Sequence, residues 1–311
     1  MKLPVSIQTG DWLDSMFGGI SGADEGFAFI KNCGFDTLDL NIDHALSPHF
    51  VEKGVATELS NLPLEQMLEY YRPVKEAAEK YGITIAMAHA IFPLHCTEHP
   101  EFDEHLLQMV IKQLNVCQYL GIPALVVHPI TLADREAEWQ MNMKLYTALI
   151  PHARECGVTV CLENLFTWQR SHAVRGACAD PNEACRYIDT LNEMAGEELF
   201  GFCFDVGHAN ILSSNIYQDL KILGKRVKVL HIHDNDAVQD RHCIPYTYKA
   251  AGNKNSTDWE GFLKGLQEIG YEGPLNFETF AALKDVPEEV VPAMLKFVHG
   301  IGEYFHNRLV K

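Results

Sequence analysis

Eight stretches of the chain alternate apolar with small or polar residues at period two, near 4–9, 37–42, 83–90, 124–129, 158–165, 200–206, 227–234 and 274–279. That period is the signature of a strand, whose successive side chains leave opposite faces. In FGFCFD, Phe200, Phe202 and Phe204 share one face, and Gly201, Cys203 and Asp205 share the other. Likewise Val160 and Leu162 oppose Cys161 and Glu163, Leu230 and Ile232 oppose His231 and His233, and Leu275 and Phe277 oppose Asn276 and Glu278.

Helical patterns fill the spaces between strands, among them FAFIKNCG, LEQMLEYYRPVKEAAEKYG, FDEHLLQMVIKQLNVCQYLG, AEWQMNMKLYTALIPHARECG, PNEACRYIDTLNEM and DWEGFLKGLQEIG. Gly34, Gly82, Gly121, Gly157 and Gly270 follow such a pattern and precede a strand, as helix C-terminal caps do. Strands that alternate with helices form parallel sheets covered by those helices. The recurring unit predicts an α/β fold, a single-domain (β/α)8 TIM barrel over 1–311, since such a barrel takes about 250 residues. The longest connections, 43–62, 166–180 and 235–258, follow predicted strands two, five and seven, on the face where such barrels build their sites.

With helices on the oily face, the polar face looks inward. Glu163, Asp205, His231 and Glu278 then end four separate strands inside one barrel. Burying bare charges costs several kcal/mol or more unless they are paired or bind a cation. One divalent metal ion resolves this, and three carboxylates with one imidazole suit Mn2+ first, with Co2+, Mg2+ or Zn2+ as alternatives. His89, His128, His208 and His233 stand at the same level and are expected to bind substrate; Asp240 and His242 are additional candidate ligands. Trp12, Phe17, Phe92, Phe166, Trp168 and Trp259 fall on or near strand-following loops, and Trp12 is taken as a substrate contact. Arg170, Arg175, Arg241, Lys249 and Lys254 are the cations available to a substrate phosphate.

A formal charge of −17 opposes a nucleic-acid partner. No apolar run reaches the roughly 20 residues of a membrane span. MKLPVSIQTG lacks the apolar stretch of a signal peptide, and nine cysteines without a CxxC pair fit reduced thiols, so a cytoplasmic location is expected. The partner expected is a small sugar, and a homo-oligomer is compatible with the sequence.

LEN at Glu163, FDVGH with Asp205 and His208, HIHDND at His231, the DRH step and NFET ending in Glu278 resemble the xylose isomerase-like barrels, which include sugar isomerases, ketose 3-epimerases and endonuclease IV. The resemblance runs over essentially the whole chain. It implies a metal-dependent isomerase or epimerase working through an enediolate, with Glu163, Asp205, His231 and Glu278 as ligands, Glu163 and Glu278 also as acid and base, and His208 touching substrate. Two further epimerase positions differ, because Gln169 and Ala237 stand where a Glu and an Arg are looked for. The endonuclease IV pattern matches by residue type at His89, His128, Glu163, Asp205, His208, His231, Asp240, His242 and Glu278, but CIPYTYKAAGNKNSTDW replaces the Ile-Gly-x-Gly stretch after DRH. A lyase that cleaves carbon-linked sugar conjugates with a partner subunit, and a non-catalytic sugar-binding barrel, are the remaining alternatives.

Overall fold

The computed structural model describes residues 3–248, 257–284 and 286–310, with Asp11 and Phe280 described in their backbone alone. Its strands are β1 (Val5–Gln8), β2 (Thr37–Asn41), β3 (Thr84–His89), β4 (Ala124–Val126), β5 (Thr159–Glu163), β6 (Phe166–Gln169), β7 (His172–Arg175), β8 (Phe200–Asp205), β9 (Val227–His231) and β10 (Leu275–Phe277). Eight of them form one parallel sheet in the order β10-β1-β2-β3-β4-β5-β8-β9. Beyond β9, Ile232 N–H donates to the Asn276 carbonyl (2.9 Å) and Glu278 N–H to the Ile232 carbonyl (3.1 Å), bringing β9 against β10 and the ring to closure. All eight expected strands are barrel strands.

Period-two alternation divides the core as expected. Val160, Leu162, Phe200, Phe202, Phe204, Leu230, Leu275 and Phe277 are buried against the surrounding helices. Inside the ring, Met87, Ala124, Val126, Cys161, Cys203 and Val229 make a separate apolar plug, the layered filling that closes such barrels. The polar residues above this plug therefore sit on a dry floor.

Helices follow the expected stretches, with Gly82, Gly121, Gly157 and Gly270 as left-handed caps. The 64–82 stretch is two helices, Leu64–Tyr70 and Arg72–Tyr81, because Pro73 has no N–H to donate back and is accepted only in the first turn of a new helix. The long connections carry structure of their own: short helical turns in 43–62, and an antiparallel hairpin of β6 and β7 within 166–180. No described helix is long and apolar enough to cross a membrane.

Candidate metal centre and substrate pocket

Every barrel strand delivers a polar side chain to the same rim at its C-terminal end. Gln8, Asn41, His89, Glu163, Asp205 and His231 are the last residues of β1, β2, β3, β5, β8 and β9, while Glu278 stands one residue past β10 and His128 two past β4. Glu163, Asp205, His231 and Glu278 are all buried. His231 Nδ1 lies 3.3 Å from Glu163 Oε2, 3.3 Å from Glu278 Oε2 and 3.8 Å from Asp205 Oδ2. The four side chains expected to gather do gather, on the consecutive ring strands β5, β8, β9 and β10.

The sequence motifs explain how these atoms are held. Asn164 and Asp205 exchange two hydrogen bonds, Asn164 Nδ2 donating to the Asp205 carbonyl (2.8 Å) and Asp205 N–H to Asn164 Oδ1 (2.9 Å), which locks the LEN end of β5 to β8. Asp205 then caps the short helix Val206–Ile211, its Oδ1 accepting from His208 N–H at 2.7 Å. Gly207 is required by packing: a Cβ there would stand 1.9 Å from His233 Cε1. Glu278 is fixed from the other side by Gln8, whose Nε2 donates to Oε1 at 2.9 Å and leaves Oε2 facing His231.

Burial alone would raise the Glu163 carboxyl, but the His231 and His128 imidazoles outweigh it and hold Glu163 well below the usual carboxylate range. Asp205 is lowered in the same way, its burial opposed by His208 and His233. Burial works against the protonated His231 and His208 rings, yet Cys203, Glu278 and Glu163 raise the first, and Asp205, Asp240 and Glu163 the second, well above the ordinary histidine value. On the far side burial and the His128 ring push His89 down to about 3. His89 is thus neutral, with its Nδ1 hydrogen on the Ala90 carbonyl (2.8 Å) and its Nε2 directed at His128 Nε2 (3.0 Å).

The donors fit a divalent ion. Both ring nitrogens of His231 are buried without a hydrogen-bond partner, and ligand atoms of Asp205, His231 and Glu278 lie within 4.8 Å of one another. Burial pushes the nearby Cys203 thiol up, and its sulfur lies with ligand atoms of Glu163 and His231 within the same 4.8 Å.

Above the centre is a cavity of about 170 Å³ lined by Gln8, Asn41, Asp43, His89, Phe92, His128, Glu163, His208, Asp240, His242 and Glu278. His89, His128 and His208, expected to bind substrate, line this cavity. His233 instead lies behind the wall, fully buried, its Nε2 3.1 Å from Asp205 Oδ2. Asp240 and His242 join the rim together, Asp240 Oδ2 3.1 Å from His242 Nε2 and 3.4 Å from His208 Nε2. Burial opposes a charge on His242, but Glu278 and Asp240 raise it to about 9.

Trp12 is a correction. It is 2% exposed, packs on Phe17 and Phe29 and donates Nε1–H to the Gln8 carbonyl at 2.8 Å, so it braces β1 from outside the cavity. Trp259 is core too, against Phe262 and Phe305. Phe92 lines the cavity beside His128, and Phe166 packs on His208 while carrying the exposed Trp168. Arg175 and Arg241 pair with Asp180 and Asp236, Arg170 sits at the hairpin turn, and Lys249 and Lys254 lie outside the described residues. Among the described residues no Lys or Arg lines the cavity.

Sequence reasoning passed over Gln8, Asp39, Asn41, Asp43 and the role of Asn164. The signal was present in SIQ and TLDLN, whose polar residues alternate inward as those of the later strands do.

The model of the xylose isomerase-like TIM barrels matches residues 27–298. The chain belongs to this family. Proteins of similar sequence include an uncharacterised protein of Sinorhizobium fredii, 23% identical over 180 residues (56% of this chain, 52% of that protein), and a ketose 3-epimerase of Arthrobacter globiformis, 24% identical over 136 residues (44% and 40%). The chain spans about half the length of the curated relatives it matches, or less. Among solved structures, the barrel superposes on 3-keto-D-glucoside 4-epimerase of E. coli with a TM-score of 0.67 (17% identity, 96% of this chain and 100% of that one) and on a D-psicose 3-epimerase with a TM-score of 0.66 (13% identity, 98% and 99%).

Proposed function

We propose that the chain is a divalent-metal-dependent isomerase or epimerase of a small sugar or sugar derivative. The observation that carries this reading is the placing of His231 Nδ1 among Glu163, Asp205 and Glu278 under a small cavity rimmed by amides, imidazoles and carboxylates. Similarity to proteins named as ketose 3-epimerase, D-psicose 3-epimerase and 3-keto-D-glucoside 4-epimerase supports the class of reaction. Manganese as the ion, a cytoplasmic location and association with further copies belong to the same reading. The donor set favours the first, and nine free cysteines accord with the second.

A bound divalent cation would supply Lewis-acid polarisation of the sugar carbonyl. Glu163, Asp205, His231 and Glu278 would hold it. One of Glu163 and Glu278 takes the proton from the carbon beside the carbonyl, leaving an enediolate, and the other returns a proton to the opposite face for epimerisation. Return by the same carboxyl to the neighbouring carbon gives isomerisation. The two residues end β5 and β10, three strands apart in the eight-strand ring, with Asp205 and His231 between them. His208, His89 and His128 orient hydroxyl groups from above, and the apolar plug below excludes water.

The test is incubation with a panel of ketoses and ketosugars in heavy water with Mn2+, followed by NMR. Loss of a carbon-bound hydrogen signal with appearance of an epimer or isomer, abolished by chelator, is the expected result. Intact hydrogens across the panel would leave a binding protein. A nuclease reading is favoured by one observation: the site gathers His89, His128, His208, Asp240 and His242 beside the four ligands. Against it stand the charge of −17 and a cavity that no Lys or Arg lines among the described residues. Cleavage of an abasic duplex would decide for it.

A further inference from the structure

His231 is the one imidazole among the four proposed ligands, and it has two nitrogens to offer. Nδ1 faces the three carboxylates. Nε2 faces the other way, toward Asp39 Oδ2 at 3.7 Å, and makes no hydrogen bond. Asp39 is fully buried on β2, on the inward face and two residues short of the rim. Its Oδ2 accepts Asn276 Nδ2 at 2.9 Å, while Oδ1 has no hydrogen-bond partner. Asn276 precedes Glu278 by two residues on the inward face of β10, so one strand supplies both a ligand and the group that aims Asp39.

A buried carboxylate is unfavourable unless something compensates it, and a ring nitrogen without a partner is unfavourable for the same reason. Asp39 Oδ2 is the carboxylate oxygen that lies within 4 Å of Nε2. A hydrogen on Nε2 drawn toward Asp39 needs the 3.7 Å separation to shorten by about 0.5–1 Å, and leaves the Nδ1 lone pair facing Glu163, Asp205 and Glu278. Histidines that bind metals are commonly oriented through the other ring nitrogen in this way.

We propose that Asp39, steered by Asn276, is a positioning residue that fixes the tautomer and orientation of His231 and so tightens the hold on the divalent ion. This rests on the functional reading above, in which the ion is bound at all. Asp39 is not among the residues that line the cavity.

The test is titration of metal-stripped protein with Mn2+ by calorimetry, comparing wild type, Asp39→Asn and, as a packing control, Val126→Ala from the plug beneath. Asp39→Asn keeps shape and removes the carboxylate. It is expected to weaken Mn2+ binding tenfold to a hundredfold while the circular dichroism spectrum is unchanged, and Val126→Ala to stay within twofold of wild type. Equal affinities for wild type and Asp39→Asn would overturn the assignment and leave the metal site standing; a wild type that takes up no Mn2+ would remove both. Should Asp39→Asn not fold, long-range proton–nitrogen NMR of the zinc-loaded wild type decides. An exchange-protected hydrogen on His231 Nε2 is expected, and a hydrogen on Nδ1 with Nε2 ligated would overturn the proposal.

Discussion

Strands β5, β8, β9 and β10 bring Glu163, Asp205, His231 and Glu278 to the rim, whereas β1 to β4 bring Gln8, Asn41, His89 and His128. The strands are built alike, oily outside and small or polar inside, and they end at one level. Their chemistry differs. One half concentrates carboxylates around an imidazole held well above its ordinary proton affinity; the other offers amides and, in His89, a ring pushed down to about 3. Under the proposed function an ion would sit off-centre, against one wall, and leave the facing wall to read hydroxyl groups. In this account the barrel separates holding charge from recognising shape while keeping both within one cavity.

The largest expected effect comes from altering the acid and base on the charged side. Glu163→Gln or Glu278→Gln should lower turnover by about a hundredfold to ten-thousandfold in a steady-state assay with the proton-exchanging sugar, with the fold intact by circular dichroism. Wild-type turnover in either variant would erase the acid–base role. Removing the ion should come next. A ligand present at a hundred times its dissociation constant adds about 2.7 kcal/mol of stability. Chelation should therefore lower the melting temperature by several degrees, and Mn2+ should restore it.

On the recognising side, Asn41→Ala or His128→Asn should raise KM about tenfold, because a lost hydrogen bond to a bound hydroxyl is worth about 1 kcal/mol or somewhat more. Metal stoichiometry should not change. A loss of metal from either variant would dissolve the division between the halves.

The smallest expected effect lies in how the two halves titrate in metal-free protein. His242 is raised to about 9, so its contribution to stability is fully present below its unfolded value near 6.5 and is lost as pH rises through 9. His89 is lowered to about 3, so it contributes stability above about 6.5 that is lost as pH falls toward 3. Denaturation followed against pH should show His242→Gln flattening the alkaline limb and His89→Gln the acid limb. The same limb changed by both would contradict the assignment.

The barrel was legible because period two, repeated in eight strands, and the capping glycines are local signals. The four-residue centre was legible because strand ends in a parallel ring converge whatever their separation in sequence. Less could be read where tertiary packing decides. Trp12 follows a strand as a pocket aromatic would, but Gly10–Phe17 forms a helix that turns the indole back onto the Gln8 carbonyl and the Phe29 ring. His233 shares a face with His231, yet only Gly207 against its ring reveals that it lies behind the wall. Asp39 sits on an inward face that the alternation of TLDLN does show; its partners, Asn276 and His231, come from strands more than 190 residues away.

The central claim is that the carboxylate half gathers around one divalent ion. A crystal structure of Mn2+-soaked protein, with diffraction recorded at the manganese absorption edge, tests it directly. The account predicts one anomalous peak bonded to Glu163, Asp205, His231 Nδ1 and Glu278, at about 2.0–2.6 Å as hard divalent ions take oxygen ligands. Those four side chains turned apart, with no peak between them, would contradict it.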